Sequence, residues 1–237
     1  MNRNALLCGL AVLALISTPS TAAEVNVYSA RNEALIKPLL DRFSEATGIQ
    51  VNLVTGKADA LLKRLQSEGR NSPADLLITT DAGRLQRAKA AGVLQPVDSD
   101  SLQNAVPEQY RDPDGHWFGL SIRARTIVYA KERLSPAQLS RYEALAEPQW
   151  KGRICVRSSD NIYNQSLVAS MMVADGTENT QRWVDGLVAN LARSPRGGDR
   201  DQIKAVAAGL CDVALVNTYY LGGMIQSTDQ QQQAAAA

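Results

Sequence analysis

In the first part of the chain, two patterns of hydrophobic residues follow one another in turn. One is the short apolar run of a strand, and the other is the spacing of a helix, which has about 3.6 residues per turn. Segments 25–28, 51–54 and 74–79 have the pattern of strands. Helical segments follow them, and one of these has Leu61 and Leu65 on a single face. This strand–helix order predicts a parallel sheet with right-handed crossovers.

Caps and glycines mark the ends of these helices. The side chains of Asn32 and Asp81 can accept hydrogen bonds from the first N–H groups of a helix. Gly48, Gly69 and Gly92 stand where the helical spacing stops, and glycine often ends a helix because it adopts left-handed backbone angles easily. The predicted helices span 32–46, 58–68 and 81–91.

The pattern changes in the second half of the chain. Segment 97–115 is polar and rich in proline and aspartate, which is typical of a surface connection. Strand-like segments at 117–120 and 126–130 predict a hinge crossing near 117–130 into a second lobe. The elements predicted for that lobe are strands at 153–156 and 212–216 and helices at 163–174, 180–191 and 201–208.

These elements divide the chain into four parts. We expect a signal peptide at 1–23, an N-terminal lobe at 24–121, a second lobe at 122–226 and a low-complexity tail at 227–237. The tail is expected to be floppy or a frayed helix end.

The first 23 residues have the three regions of a secretory signal. A short positive segment at 1–4 precedes an apolar run at 5–16, and small residues at 17–23 lead to a cleavage site after Ala23 or one residue earlier. The apolar run is too short to span a bilayer comfortably, although an uncleaved anchor is the alternative. We therefore expect an exported, periplasmic protein.

Composition narrows the function. The 237 residues carry a formal net charge of +1, so charge gives no support for nucleic acid or an acidic membrane as a partner. The chain has one histidine, His116, which argues against a histidine-based triad or a zinc site. No glycine-rich phosphate loop follows a predicted strand. A binding protein is therefore favoured over an enzyme.

Two cysteines, Cys155 and Cys211, remain after the signal peptide, and each lies beside a predicted strand. An exported protein meets an oxidising compartment, which favours a disulfide between them. Two buried thiols are the alternative.

Four of the seven tyrosines stand at the C-terminal ends of predicted strands. They are Tyr28, Tyr163, Tyr219 and Tyr220. Ligands of open α/β sheets bind outside the carboxyl ends of strands, so a cleft between two lobes would collect these side chains. Phenol oxygens are hard donors that suit a hard cation. The alternative for the adjacent pair is that one ring packs in the core and the other covers the surface.

Several stretches together resemble one family of exported proteins. They are 27–31 (VYSAR), 72–75 (SPAD), 81–85 (DAGRL), 122–125 (IRAR), 154–159 (ICVRSS), 161–165 (NIYNQ) and 214–220 (ALVNTYY). In this order they resemble the periplasmic ferric-iron-binding proteins of ABC iron transporters, the ferric-binding-protein and iron-deficiency-induced-protein family. The resemblance runs from about residue 24 to residue 226.

The resemblance implies an α/β fold, the class II periplasmic binding protein, with two doubly wound lobes and a hinge. Members of the family continue well beyond the tyrosine pair, so we expect this chain to be truncated at its C-terminus and its first lobe to be incomplete. Such a chain would expose apolar faces of the first lobe, would be marginally stable, and would bind iron more weakly than an extended version.

The resemblance also implies a site. Fe(III) would be held by Tyr219 and Tyr220, with Tyr163 and Tyr28 completing the ligand set. Asn32 and Thr80 stand near where one branch of the family has a histidine and a glutamate, which favours the all-tyrosine site. The residues Arg31, Arg123 and Arg125 could balance the charge or bind an anion such as carbonate.

The expected function is that of a monomeric solute-binding protein that delivers Fe(III) to an ABC transporter permease in the inner membrane. The alternative is a protein of the same fold that binds a small anion or another small solute.

Overall fold

The structure, a computed structural model, describes residues 23–237, and the predicted signal peptide lies outside them except for Ala23. The strands are β1 (Glu24–Ser29), β2 (Gln50–Thr55), β3 (Leu76–Ile78), β4 (Arg125–Tyr129), β5 (Ile154–Cys155) and β6 (Val213–Asn217). The helices are α1 (Glu33–Thr47), α2 (Ala58–Glu68), α3 (Ala82–Ala90), α4 (Asp100–Ala105), α5 (Ile162–Asp175), α6 (Thr177–Ala189), α7 (Asp199–Ala207), α8 (Thr218–Ile225) and α9 (Gln230–Ala236). Short 3-10 helices lie at Gly69–Asn71, Glu108–Tyr110, Pro136–Gln138, Glu143–Ala146 and Pro148–Trp150.

The first sheet has the order β2-β1-β3, and both strand pairs are parallel. The predicted parallel sheet is therefore confirmed. The caps also lie where the pattern indicated: Asn32 accepts from the backbone N–H of Ala34, and Gly48 ends α1 with φ of 71°.

The second sheet has the order β4-β6-β5, with β5 parallel to β6 and β4 antiparallel to it. All five residues of the central strand β6 are buried, because helices cover both of its faces. Leu215 packs on α6 residues such as Trp183, whereas Val216 packs on α7 and α8 residues such as Ile203 and Met224.

Segment 117–120 is not the strand that its pattern indicates. Phe118 makes a single antiparallel bridge to Arg111, and the N–H of Gly119 donates to the carbonyl oxygen of Tyr110 at 2.8 Å. The segment thus folds back on its own connection instead of joining a sheet. That connection also contains α4, which is capped by Ser99. The polar composition of the segment did not indicate this helix.

The ends of three second-lobe helices differ from the prediction by a few residues. The first of them, α5, ends at Asp175 and is capped by Gly176, whose φ of 81° suits glycine, and α6 begins at Thr177. The tail forms α9, whose Ala235 and Ala236 pack against the core of the second lobe.

The first lobe has a smaller core than the second. Tyr28, Leu61 and Leu65 are its buried hydrophobic cluster. On α1, Leu35 is 67% and Leu39 is 60% exposed, so this helix presents apolar side chains to solvent, as expected from the sequence. Within residues 23–237, none of the helices combines the length and the hydrophobicity needed to span a bilayer.

Candidate metal centre

Three tyrosines lie in the first turns of helices that follow parallel strands. Tyr219 and Tyr220 stand in the first turn of α8, directly after β6. Tyr163 stands in the first turn of α5, where Asn161 Oδ1 accepts from its backbone N–H at 3.0 Å. Since β5 and β6 are parallel neighbours, their carboxyl ends bring these two helix starts together.

The three phenols form one cluster. Tyr219 Oη donates a hydrogen bond to Tyr163 Oη at 3.3 Å, and the ring centroids of Tyr219 and Tyr220 are 4.4 Å apart. The Tyr219 side chain is partly exposed, so solutes can reach the cluster. Three oxygen donors so arranged can bind a hard cation.

The surroundings move the pKa values of two of these phenols in opposite directions. Burial by itself raises the pKa of Tyr163, but hydrogen bonds from Tyr219 and Thr80 and the charges of Arg123 and Arg84 outweigh it, so that this pKa lies below its ordinary value. Burial raises the pKa of Tyr219, and its hydrogen bonds to the other phenols raise it further. Tyr163 therefore loses its proton to form a phenolate more easily than Tyr219 does.

Three arginines stack on the three rings, one on each. The guanidinium carbon of Arg123 lies 5.5 Å from the ring centroid of Tyr219, that of Arg157 lies 5.4 Å from Tyr163, and that of Arg200 lies 5.1 Å from Tyr220. Sequence reasoning found Arg123 and missed the other two. Arg157 was within a family-like stretch, but Arg200 is on α7 and its position depends on helix packing.

The first lobe reaches the cluster through the start of α3. Arg84 Nη1 donates to Thr80 Oγ1 at 3.0 Å, and Thr80 is hydrogen-bonded to Tyr163. One residue further on, Asp81 Oδ1 accepts from Ser166 Oγ of α5 at 2.6 Å. The two helix starts thus hold the lobes together beside the phenols.

Comparison with known proteins identifies the family. Residues 71–234 match the model of the family described as bacterial extracellular solute-binding protein. The chain belongs to this family.

Several relatives of this solute-binding protein have names that refer to iron. It is 52% identical over 222 residues to iron uptake protein A1 of Synechocystis, covering 94% of this chain and 62% of the relative. It is 32% identical over 218 residues to the Fe(3+)-binding periplasmic protein of Serratia marcescens, covering 91% of this chain and 63% of the relative. The chain therefore spans somewhat less than two thirds of the length of these relatives.

Solved structures show the same fold. The Trichodesmium protein FutA, in complex with iron and citrate, superposes with a TM-score of 0.88 at 49% identity, over 90% of this chain and 68% of the other. Apo FutA2 from Synechocystis superposes with a TM-score of 0.86 at 47% identity, over 91% of this chain and 67% of the other. The predicted periplasmic binding protein fold is confirmed.

Tyr28 is the predicted ligand that is not in the cluster of this solute-binding protein. Its side chain is 1% exposed and packs against Leu61 and Leu65 of the first lobe. Its hydroxyl donates to the carboxylate of Glu68 at 2.9 Å, and the guanidinium of Arg64 lies 4.6 Å from its ring centroid. Burial and this hydrogen bond raise the pKa of Tyr28. Here the tyrosine is a core residue of the first lobe.

The other predicted residues have varied surroundings. Arg31 follows β1, and its backbone N–H donates to Ser29 Oγ at 3.2 Å. The side chain of Arg125 is 9% exposed, and its guanidinium donates to Asn164 and Asn217. The sulfur atoms of Cys155 and Cys211 are bonded to each other, with the two Cα atoms 5.8 Å apart.

A second group of metal-binding residue types lies in the connection between the two sheets. Asp112, Asp114 and His116 have ligand atoms within 4.8 Å of one another. Lys89 already places its ammonium 2.8 Å from Asp112 and 2.7 Å from Asp114. This group is accordingly an ion-pair network with its own cation.

Proposed function

We propose that this solute-binding protein binds Fe(III) through the phenolates of Tyr163, Tyr219 and Tyr220 and delivers it to an ABC transporter permease in the inner membrane. The observation that carries the proposal is the convergence of the three phenols, with Tyr163 Oη and Tyr219 Oη 3.3 Å apart. The names of two relatives, an iron uptake protein and an Fe(3+)-binding periplasmic protein, support the proposal.

The charge of the ion selects Fe(III). A phenol with a pKa of about 10 costs roughly 4 kcal/mol to deprotonate at pH 7, and the bound ion must offset this for each ligand. Three phenolates carry three negative charges, which a trivalent cation balances. A divalent ion such as Mg²⁺ or Ca²⁺ would leave an excess negative charge and offset less of the cost.

Three phenolates leave coordination positions for a small anion. Arg123 and Arg84 add positive charge beside Tyr163, which favours carbonate or citrate as an additional ligand. The Trichodesmium relative is described with both iron and citrate. Tyr28 could join the ligand set only after its hydrogen bond to Glu68 opens.

In the cell, the proposed protein is a periplasmic monomer that is exported through the signal peptide at 1–23. It carries iron and does not transform it, and it has no nucleic-acid partner. Relatives described as periplasmic support this assignment.

Ferric citrate added to the purified apo-protein tests the proposal. We expect a broad visible absorption from charge transfer between tyrosinate and iron, and about one iron per chain by elemental analysis. A Tyr163→Phe, Tyr219→Phe double variant should lack the band. A wild-type protein that stays colourless and free of iron contradicts ferric binding.

A second candidate function is the binding of a small anion. The arginines around the phenols favour it, and the chain is 35% identical over 151 residues to a putative 2-aminoethylphosphonate-binding periplasmic protein of Salmonella. Titration calorimetry of the iron-free protein with this phosphonate separates the two functions. We expect no measurable heat, and micromolar binding would favour the anion instead.

A further inference from the structure

Arg125 connects α5, which carries Tyr163, to the end of β6, directly before the helix that carries Tyr219 and Tyr220. It is the first residue of β4 and lies opposite Asn217 of β6 in the antiparallel register. Its Nη1 donates to Asn217 Oδ1 at 3.0 Å. Its Nη2 donates to Asn164 Oδ1 of α5 at 2.7 Å and to the carbonyl oxygen of Leu215 at 3.0 Å.

Both asparagines are close in sequence to proposed ligands. Asn164 directly follows Tyr163, and its Nδ2 donates to the carbonyl oxygen of Arg157 at 2.9 Å, so its amide is held on both sides. Asn217 ends β6 two residues before Tyr219. A shift of either asparagine would therefore move the phenol beside it.

A buried carboxylate balances the charge of this arrangement. The side chain of Asp199, at the start of α7, is fully buried, with Oδ1 3.5 Å from Arg125 Nη1 and Oδ2 3.4 Å from Arg157 Nη1. Burial lowers the pKa of Arg125, and the negative charge of Asp199 opposes this effect. Because the ordinary pKa of arginine lies far above neutral pH, the guanidinium remains a charged donor inside the lobe.

We infer that Arg125 is a positioning residue, which ties the start of α5 to the end of β6 through Asn164 and Asn217 and so sets the spacing between Tyr163 and Tyr219. The inference rests on the proposed function, since this spacing serves binding only if the phenols hold the ion. It replaces the anion-binding role that the family resemblance implied for Arg125, because Nη1 and Nη2 already have acceptors within the protein. Lysine has a single nitrogen and cannot reach these separate acceptors with a planar fork.

Two variants and a matched control test this role. Arg125→Met replaces the unbranched stem of arginine with an apolar one and removes every donor, whereas Arg125→Lys keeps the charge and loses the fork. Arg153→Met is the control, because Arg153 Nε pairs with Asp212 at 2.6 Å in the same lobe, and this pair does not involve the tyrosines.

The first measurement needs no iron. In apo-protein labelled with ¹³C-tyrosine, and with signals assigned by single Tyr→Phe variants, we expect the ring signals of Tyr163 and Tyr219 to move in both Arg125 variants and to stay in place in Arg153→Met. The second measurement is ferric affinity by citrate competition, read beside the melting temperature. We expect Arg125→Met to bind at least tenfold more weakly than Arg153→Met, even where the two melt alike.

Unchanged ring signals in Arg125→Met, or a ferric affinity equal to that of Arg153→Met, would overturn the positioning role. If Arg125→Met does not fold, Asn164→Ala removes one acceptor only and has the same two readouts. A wild-type protein that takes up no iron counts against the proposed function instead, and the ring signals then decide whether Arg125 sets the spacing of the phenols.

Discussion

At the scale of single residues, Tyr163 and Tyr219 show how the same side chain acquires two roles. Tyr163 accepts hydrogen bonds from Tyr219 and Thr80 and lies near positive charge, so its pKa is lowered. Tyr219 is the donor in the shared hydrogen bond, and its pKa is raised. A cation would therefore bind one phenol that ionises more easily than an ordinary tyrosine and another that must lose both its proton and its hydrogen bond.

Removing single phenol oxygens should abolish tight ferric binding. We expect Tyr219→Phe and Tyr220→Phe each to weaken affinity at least a hundredfold, because a lost charged ligand costs several kcal/mol and each 1.4 kcal/mol is about tenfold. Citrate competition measures the effect. Tyr110→Phe, in the exposed 3-10 turn Glu108–Tyr110, is the control and should bind as the wild type does. Equal behaviour of all three variants would refute the ligand assignment.

The buried Asp112 should make the free energy of unfolding depend on pH in the acidic range. Its burial opposes ionisation, but Lys89 and His116 lower its pKa to about 2. A pKa depressed by folding adds stability above the ordinary pKa near 4, and this stability is lost as pH falls through about 2. After allowance for solvent screening it amounts to about 1 kcal/mol at neutral pH.

Urea unfolding of Asp112→Asn at several pH values checks this. The variant should be less stable than the wild type at pH 7, and the difference should shrink between about pH 4 and pH 2. Asp114→Asn is a matched control because its carboxylate contacts the same Lys89 but is mostly exposed. A difference that does not change with pH is incompatible with the lowered pKa.

At the scale of elements, the starts of α3 and α5 face each other across the lobes. Asp81 caps α3 by accepting from the N–H of Gly83 at 2.9 Å, and it does so with φ of 81°, a strained angle for a residue with a side chain. Its hydrogen bond from Ser166 helps to offset that strain. Gly83 leaves room for the contact, because a Cβ there would lie 3.0 Å from Ile162 Cδ1.

Ser166→Ala removes the hydrogen bond between these two helices and leaves both helices intact. We expect ferric affinity to fall roughly three- to tenfold, since one hydrogen bond contributes about 0.5–1.5 kcal/mol to the contact between the lobes. Small-angle scattering should show more open lobes. Ser170→Ala is the control on the same helix, because Ser170 Oγ donates to the carbonyl oxygen of Leu167 and not to the other lobe. Similar values for the two variants would mean that the contact does not favour closure.

At the scale of the whole molecule, the two lobes differ in what holds them together. The second lobe has buried clusters on both faces of β6 and a disulfide on one of them. The first lobe has one smaller buried hydrophobic cluster, formed by Tyr28, Leu61 and Leu65, and an exposed apolar face on α1. Unfolding should therefore begin in the first lobe, which also supplies Thr80 and Asp81 to the lobe contact.

The disulfide should contribute measurably to the second lobe. It joins residues 56 positions apart, so it restricts a long loop of the unfolded chain. We expect reduction to lower the free energy of unfolding by about 3 kcal/mol, read as a lower urea midpoint. The Cys155→Ala, Cys211→Ala double variant should not respond to the reductant. A wild-type midpoint that is the same with and without reductant would show that the bond adds no stability.

The sequence by itself determined the elements whose signals are local. Asn32 and Gly48 delimit α1, and the segment 213–217 is the buried strand β6. Tyr219 and Tyr220 lie in the first turn of the helix that directly follows this strand. Each of these features depends on neighbours a few residues away, through capping, backbone angles or burial of a continuous run. The order of strands and helices follows from the same local signals, and this order indicated the fold.

Only the tertiary structure decided which distant residues meet. Tyr28 stands at a strand end, as the pattern indicated, but packing against α2 turns it into a core residue bonded to Glu68. Arg125 reaches Asn217 across 92 positions of sequence, and Arg200 meets Tyr220 only because α7 packs beside α8. Such contacts depend on register and on the packing of whole elements, and no local pattern of side chains encodes them.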